Sequence, residues 1–269
     1  MIEKKHFDIP LLHFNNLNKF QDISHFVSTR EGGVSTEHLS SFNLGFTVND
    51  KPENVLKNRE ILAEATDIIL SRFIFAKQSS EDKVVSITEK HLHKDKINVH
   101  SDLIGVDAMI TNKKGLCLTI LTADCVPVLL YDSVKKVIGI SHAGWRGTAL
   151  NITQKTAQQM HKEFACKYED LVVGIGPSIG PSTYEVGTEV INEFQKNIVY
   201  HEKILKPAPN EKAMLNLWKA NKIQLMELGV KENNIEIAEI CTYSESGKFF
   251  SARKTKGKTG RFATGIILI

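Results

Sequence analysis

The sequence predicts an α/β fold in one domain, with mixed β-sheets packed between outer helices. Three observations predict it. Strand-like apolar runs and amphipathic helical segments are intermixed without a regular βαβ rhythm. Neither a GxGxxG fingerprint nor a P-loop is present, which argues against a doubly wound nucleotide fold. No repeat, linker or low-complexity tract divides the 269 residues, so 1–269 reads as a single unit long enough to bury a substantial core.

The elements follow in chain order. Asp50 and Glu53 have capping-box spacing with Pro52 in the first turn, which predicts a helix running to about Ala65. The runs "KVVSIT", "LCLTILTA", "VPVLLY" and "KVIGIS" read as strands, as does the final "TGIILI". Leu150, Ala157, Met160 and Phe164 share one helical face, and so do Val186, Val190 and Phe194. Trp218, Leu225 and Leu228 mark a later helix that should stop at Gly229, a favourable residue just past a helix end.

Composition excludes several function classes. A formal charge of +3 is near balance and argues against general nucleic-acid binding. No run reaches the roughly 18 apolar residues of a membrane span, and the first residues lack the apolar core of a signal peptide. The four cysteines form no CxxC pair, so a reduced, cytoplasmic setting is expected and a special cysteine there is catalytic or metal-binding.

Chemistry concentrates around "GISHAGWRG", Gly139 to Gly147. A hairpin turning near Ser133 and Val134 would set Cys125 opposite His142, at the Cβ separation of about 5 Å usual for opposed residues. A one-residue slip would send one of them to the other face. Taken singly, Cys125 is a small core residue and His142 a satisfied strand-end histidine. As a pair they offer soft ligands for zinc or copper, or a thiol that its neighbouring imidazole deprotonates for attack on a carbonyl. Two further segments suit a binding wall. "GIGPSIGPSTYEVG" brings bare backbone and Tyr184, and "SARKTKGKTGR" brings Arg253 and Arg261, suited to phosphate or carboxylate recognition. Each also reads plainly as a tight turn or a solvated basic loop.

The combination "TREGGVS…FNLG…NR", "TADCVPVLLYD", "SHAGWRGT", "GIGPSIGPSTYEVG" and "SARK…TGR" closely resembles the YfiH/YlmD family, long labelled laccase-domain or multicopper polyphenol oxidase proteins. The resemblance runs from about Ser24 onward. It implies α/β/β/α layers and purine nucleoside phosphorylase activity, in which adenosine, inosine or methylthioadenosine plus phosphate gives base and sugar 1-phosphate. Adenosine deamination and peptidoglycan-precursor editing are further activities that it implies. It also implies a metal site, zinc or copper, made by the cysteine of "ADC", the histidine of "HAGWRG" and a histidine of "Q-x-H". The first two fall on Cys125 and His142. The third falls on Ser80, a departure that should weaken metal binding, and His91, His93 or His100 are the nearby candidates to replace it. Ser182, where relatives often carry cysteine, is a milder one.

On this reading Cys125, His142 and Arg146 are the catalytic candidates. Asn43, Arg59, Gln78, Tyr184, Arg253 and Arg261 are the substrate-binding candidates, with Arg30 as a further possible phosphate ligand. Inorganic phosphate is the expected co-substrate and purine nucleosides are the expected partners, with neither nucleic acid nor membrane. Rival readings are a metal-free Cys–His hydrolase or deamidase, a copper-dependent polyphenol oxidase, and a catalytically impaired binding protein. The oxidase reading is chemically weak, because "HLH" is the only HxH in the chain.

Overall fold

The computed structural model describes residues 1–92 and 99–269. Two six-stranded sheets dominate it. One runs, edge to edge, Ile2–His6, Ile9–His13, Ile23–Ser28, Phe262–Leu268, Cys117–Thr122 and Phe73–Phe75. The other runs Ile235–Ile237, Leu171–Ile175, Val126–Asp132, Val137–Ala143, Ala108–Thr111 and Val84–Ser86. Both mix parallel and antiparallel pairs. A small third sheet joins Glu185–Val186, Lys212–Leu215 and Leu205–Ala208.

The core explains the layering. Leu118, Ile120, Ile266 and Leu268 of the first sheet meet Leu129, Tyr131, Ile138 and Ile140 of the second in one apolar cluster. The opposite face of the first sheet, with Leu11, Phe26 and Cys117, takes Leu62 and Ala65 of helix Pro52–Thr66. The opposite face of the second sheet, with Val126, Val128 and Leu130, takes Ile152, Ala157 and Met160 of helix Ile152–Phe164 and Leu225 of helix Leu217–Glu227. The order is helix, sheet, sheet, helix. A strand covered on both sides has no polar face, which is why "VPVLLY" reads as an unbroken apolar run. No helix among the described residues is long and apolar enough to cross a membrane.

Several local expectations shift. Helix Pro52–Thr66 starts after Lys51, while Asp50 accepts bonds from Ser35 Oγ at 2.6 Å and Asn43 Nδ2 at 2.8 Å and so anchors a loop. Leu150 caps a short helix, Trp145–Ala149, and Asn151 at φ +61° separates it from Ile152–Phe164. Val186 lies in a strand ahead of helix Thr188–Asn197, because Glu185 and Val186 pair with Met214 and Ala213. Gly229, at φ +102°, does follow helix Leu217–Glu227 and its capping residue Leu228.

The central hairpin forms, but with a different register. Asp132 pairs with Val137, and the Asp132 carboxylate accepts from the Val134 and Lys135 amides at 2.8 Å each, which sets a four-residue turn. His142 therefore faces Pro127, not Cys125. The pairing differs by two residues from the expected one. Because strand side chains alternate with period two, Cys125 and His142 stay on one face as diagonal neighbours.

Candidate active site

Cys125 stands where the chain leaves one sheet for the other. Strand Cys117–Thr122 belongs to the first sheet and Val126–Asp132 to the second, so Ala123, Asp124 and Cys125 make the crossing. Asp124 takes φ +96°, a strained conformation for a residue with a Cβ. Its surroundings hold it there. One carboxylate oxygen accepts from Thr242 Oγ1 at 2.6 Å, the other from the Arg253 amide at 2.6 Å, and its carbonyl accepts from the Ile179 amide at 2.9 Å. The neighbouring thiol is fixed by this clamp. A Cβ on Gly144 would lie 3.0 Å from Cys125 Sγ and 4.0 Å from His142 Cε1, so the glycine after "SHA" is what lets the histidine strand close on the thiol.

His142 is buried, and its Nδ1 lies 2.8 Å from Asp107 Oδ1. Its backbone amide also donates to the Asp107 carbonyl at 2.7 Å. Asp107 is fully buried and accepts further bonds from the amides of Ser79, Ser80 and Glu81 at 3.1, 3.0 and 2.9 Å and from Ser79 Oγ at 3.0 Å. Burial favours the neutral acid, but the bonds from His142 and from the Glu81 and Ser79 amides outweigh it and hold the carboxyl below its usual range. At His142 burial opposes the charged form. The charge on the Cys125 sulfur, the Asp107 bond and a hydrogen bond with Cys125 reverse that and push the imidazole up to about 9. Thiol, imidazole and carboxylate thus form one chain of contacts. Asp107 is the functional residue that the sequence reading missed. Its signal was an acidic residue between Val106 and Ala108 at the head of the buried strand "AMIT".

The donor set does not fit a resident zinc or copper ion. Cys125 and His142 supply two soft ligands, whereas a catalytic zinc takes three from the protein. Ser80 lines the cavity beside them, but it brings a hydroxyl where an imidazole is needed, and its amide is committed to Asp107. Among the described residues no group of three His, Cys, Asp or Glu is arranged to hold a metal. His91 is tied to Thr88, with the His100 ring 5.3 Å away, and neither lines the cavity. His93 lies outside the described residues.

Two cavities meet at Cys125. The first, of about 680 Å³, is lined by Cys125, His142, Ser80, Gln78, Arg59 and Arg261 together with Phe46 and Phe75. The second, of about 480 Å³, is lined by Cys125, Trp145, Tyr184, Arg253 and Lys256. Tyr184 is buried, which raises its phenol above the usual range, and the Arg253 guanidinium sits 5.0 Å from its ring centre. Five expected residues are therefore gathered on the thiol: His142, Arg59, Arg261, Tyr184 and Arg253. Four are placed differently. Asn43 lines neither cavity. Its amide is spent on Asp50, on Gly45 and on the Arg261 amide, so it positions the arginine. Gln78 lines the first cavity, but its carboxamide pairs twice with the Leu121 backbone, at 3.0 and 2.9 Å. Arg146 is exposed, because its place in the first turn of helix Trp145–Ala149 turns it over the Trp145 ring and towards Glu189, 3.5 Å away. Arg30 donates to the carbonyls of Ser40 and Ser246 and lines neither cavity.

A family model described as multi-copper polyphenol oxidoreductase laccase matches residues 24–269. The chain is 40% identical over 262 residues to a purine nucleoside phosphorylase of Bacteroides thetaiotaomicron, with 97% of each chain covered. It is 33% identical over 251 residues to purine nucleoside phosphorylase YlmD of Bacillus subtilis, covering 93% of this chain and 90% of that one. Among solved structures, YlmD from Geobacillus stearothermophilus superposes with a TM-score of 0.92 at 28% identity, covering 100% of this chain and 98% of that one. The hypothetical protein YfiH of Bacillus licheniformis gives 0.91 at 30% identity, covering 97% and 96%. With the clamped thiol, the buried His142–Asp107 pair and the two cavities already described, these matches place the chain in the YfiH/YlmD family of laccase-domain proteins.

Proposed function

We propose that the chain is a purine nucleoside phosphorylase acting in the cytoplasm on adenosine, inosine or methylthioadenosine. The observation that carries this reading is the meeting of two unlike cavities at one thiol–imidazole–carboxylate chain. The first sets buried Arg59 and partly buried Arg261 beside Phe46 and Phe75, and the second sets Tyr184 and Trp145 beside exposed Arg253 and Lys256. Relatives at 40% and 33% identity that bear the name purine nucleoside phosphorylase support it.

In this reaction a phosphate oxygen attacks the anomeric carbon while the bond from that carbon to the purine nitrogen breaks. The bonding pair leaves with the base, which then takes a proton. His142, oriented by Asp107 and beside Cys125, is the acid positioned to supply it. Tyr184 and Trp145 give the purine an aromatic wall. No step is routed through a metal, because the donors do not fit one. The copper-oxidase reading meets the same obstacle.

The test is chromatography of products after incubation with adenosine, with and without phosphate. Adenine formed only with phosphate is the expected result. Inosine in both conditions would identify a deaminase that uses water. No product from adenosine, nor from inosine or methylthioadenosine incubated in the same way, would overturn the reading and leave a binding protein.

A second reading has one observation in its favour. Asp107 orienting His142 beside Cys125 is the order of orienter, base and nucleophile used in acyl transfer. Turnover of an amide or ester substrate that is resistant to chelators and abolished by a thiol alkylator would support it.

A further inference from the structure

We propose that Arg59 and Arg261, held by the segment Asn43–Leu44–Gly45, form the binding site for inorganic phosphate. The inference rests on the phosphorylase reading and names which of its cationic groups take the co-substrate.

Arg59 is only 5% exposed, yet no carboxylate lies within ion-pair distance of it among the described residues. Its Nε donates to the Leu44 carbonyl at 3.1 Å, and its guanidinium lies 3.8 Å from the Phe75 ring centre and 4.5 Å from that of Phe46. Those contacts occupy one N–H donor and the flat faces. Arg59 lines the cavity that also holds Cys125 and His142. A buried cation without a counter-charge is costly unless a ligand supplies one. That burial pulls Arg59 down to about 9, the sign of an unmet demand for negative charge.

Arg261 lines the same cavity and has no carboxylate within ion-pair distance among the described residues, Asp124 acting on it only from further away. Its backbone amide donates to Asn43 Oδ1 at 2.9 Å, and its Nη1 donates to the carbonyls of Thr259 and Gly260 at 3.2 and 2.9 Å. A Cβ on Gly45 would come within 2.9 Å of its Cγ, so glycine is needed for the stem to pass. Three consecutive residues therefore aim two arginines from distant parts of the chain: Asn43 and Gly45 position Arg261, and Leu44 holds Arg59. Two guanidinium forks with free donors match a tetrahedral oxyanion carrying two charges. The other arginines differ. Arg30 lines neither cavity, Arg146 is exposed and leans on Glu189, and Arg253 is exposed against Tyr184.

The experiment is isothermal titration calorimetry of inorganic phosphate into the intact protein without nucleoside. It is repeated for Arg59→Met, Arg261→Gln and Arg146→Gln, with circular dichroism melts to check folding. Phosphate affinity is expected to fall at least about tenfold in Arg59→Met and in Arg261→Gln, and to be unchanged in Arg146→Gln. Should the buried Arg59 variant fail to fold, Arg261→Gln decides alone. The proposal is overturned if the wild type binds no phosphate, if folded Arg261→Gln binds it like the wild type, or if Arg146→Gln loses it instead. Adenosine 5′-monophosphate is titrated in parallel. Tighter, Arg261-dependent binding of that compound would make the oxyanion part of the nucleoside and overturn the co-substrate assignment. The two readings fail separately. Phosphate bound at these arginines without base release sinks the phosphorylase alone. Base release with an unmoved phosphate KM in Arg261→Gln sinks the site alone.

Discussion

The two sides of Cys125 solve the same problem in opposite ways. On one side Arg59 and Arg261 are locked by backbone carbonyls, a side-chain amide and two phenylalanine rings. On the other, Arg253 and Lys256 are exposed, and Arg253 rests on the ring of Tyr184 with one bond to the Glu185 carbonyl. Rigid charge suits a small symmetrical ligand of fixed geometry, since the cost of ordering the donors is met when the protein folds. A looser aromatic and cationic wall suits a flat ligand bound by stacking, where a few tenths of an ångström matter little.

The comparison is broken most severely at the point both sides share. Asp107→Asn should lower the rate of base release on the order of 100-fold, since His142 loses its charged partner and three backbone amides lose part of their acceptor. Initial rates followed by chromatography, with melting curves to separate loss of fold from loss of chemistry, provide the check. A rate within about threefold of the wild type would remove Asp107 from the mechanism.

Gly45→Ala tests the rigid side. The added methyl meets the Arg261 stem, and phosphate KM should rise several-fold, roughly 5-fold, with little change in nucleoside KM. Arg253→Gln tests the loose side and should do the reverse, raising nucleoside KM about threefold through loss of a contact worth about 0.5–1 kcal/mol while phosphate KM stays put. Steady-state kinetics with each substrate varied in turn separates the two. Equal movement of both constants in either variant would erase the distinction between the two sides.

Acid sensitivity sharpens the contrast from outside the site. His25 accepts a bond from the Phe14 amide and is brought down to about 3, mainly by burial and then by nearby His13. His13 is brought down to about 4, again mainly by burial. Both are favoured as neutral rings in the fold, so their contribution is present above the ordinary value of 6.5 and is lost as the pH falls towards 4 and 3. A change from pH 7.5 to 4.5 should therefore cost on the order of 2 kcal/mol, read as a lower midpoint in urea melts, and His25→Gln should shrink that difference. An identical acid loss in the variant would place the sensitive groups elsewhere.

The layers and the pairing of Cys125 with His142 were legible in the sequence, because unbroken apolar strand runs, amphipathic helical faces and a polar hairpin turn leave direct marks. The exact opposition of the two residues was not. A turn one position later moves the partner by two while keeping the face, and a four-residue loop set by the Asp132 side chain carries no obvious mark of its register. Asp107, and the anchoring of the expected Arg59, were harder for another reason. Asp107 acts through the crossing of strand Val137–Ala143 beside the segment Ser79–Glu81, and Arg59 through a loop more than a dozen residues earlier in the chain. Asn43 was read as a substrate contact because a buried amide in a glycine-flanked motif looks the same in sequence whether it touches ligand or holds an arginine.

The strand Phe262–Leu268 has a consequence for how the protein comes into being. It is the latest of its sheet in sequence, yet it lies in the interior, between Ile23–Ser28 and Cys117–Thr122. A chain made from its N-terminus must therefore carry two open strand edges until residue 268 has emerged, a period in which wrong pairing is easiest. Arg261 stands immediately before that strand. Setting Arg261 on the cavity beside Cys125 and inserting the strand that closes the sheet are consequently one event.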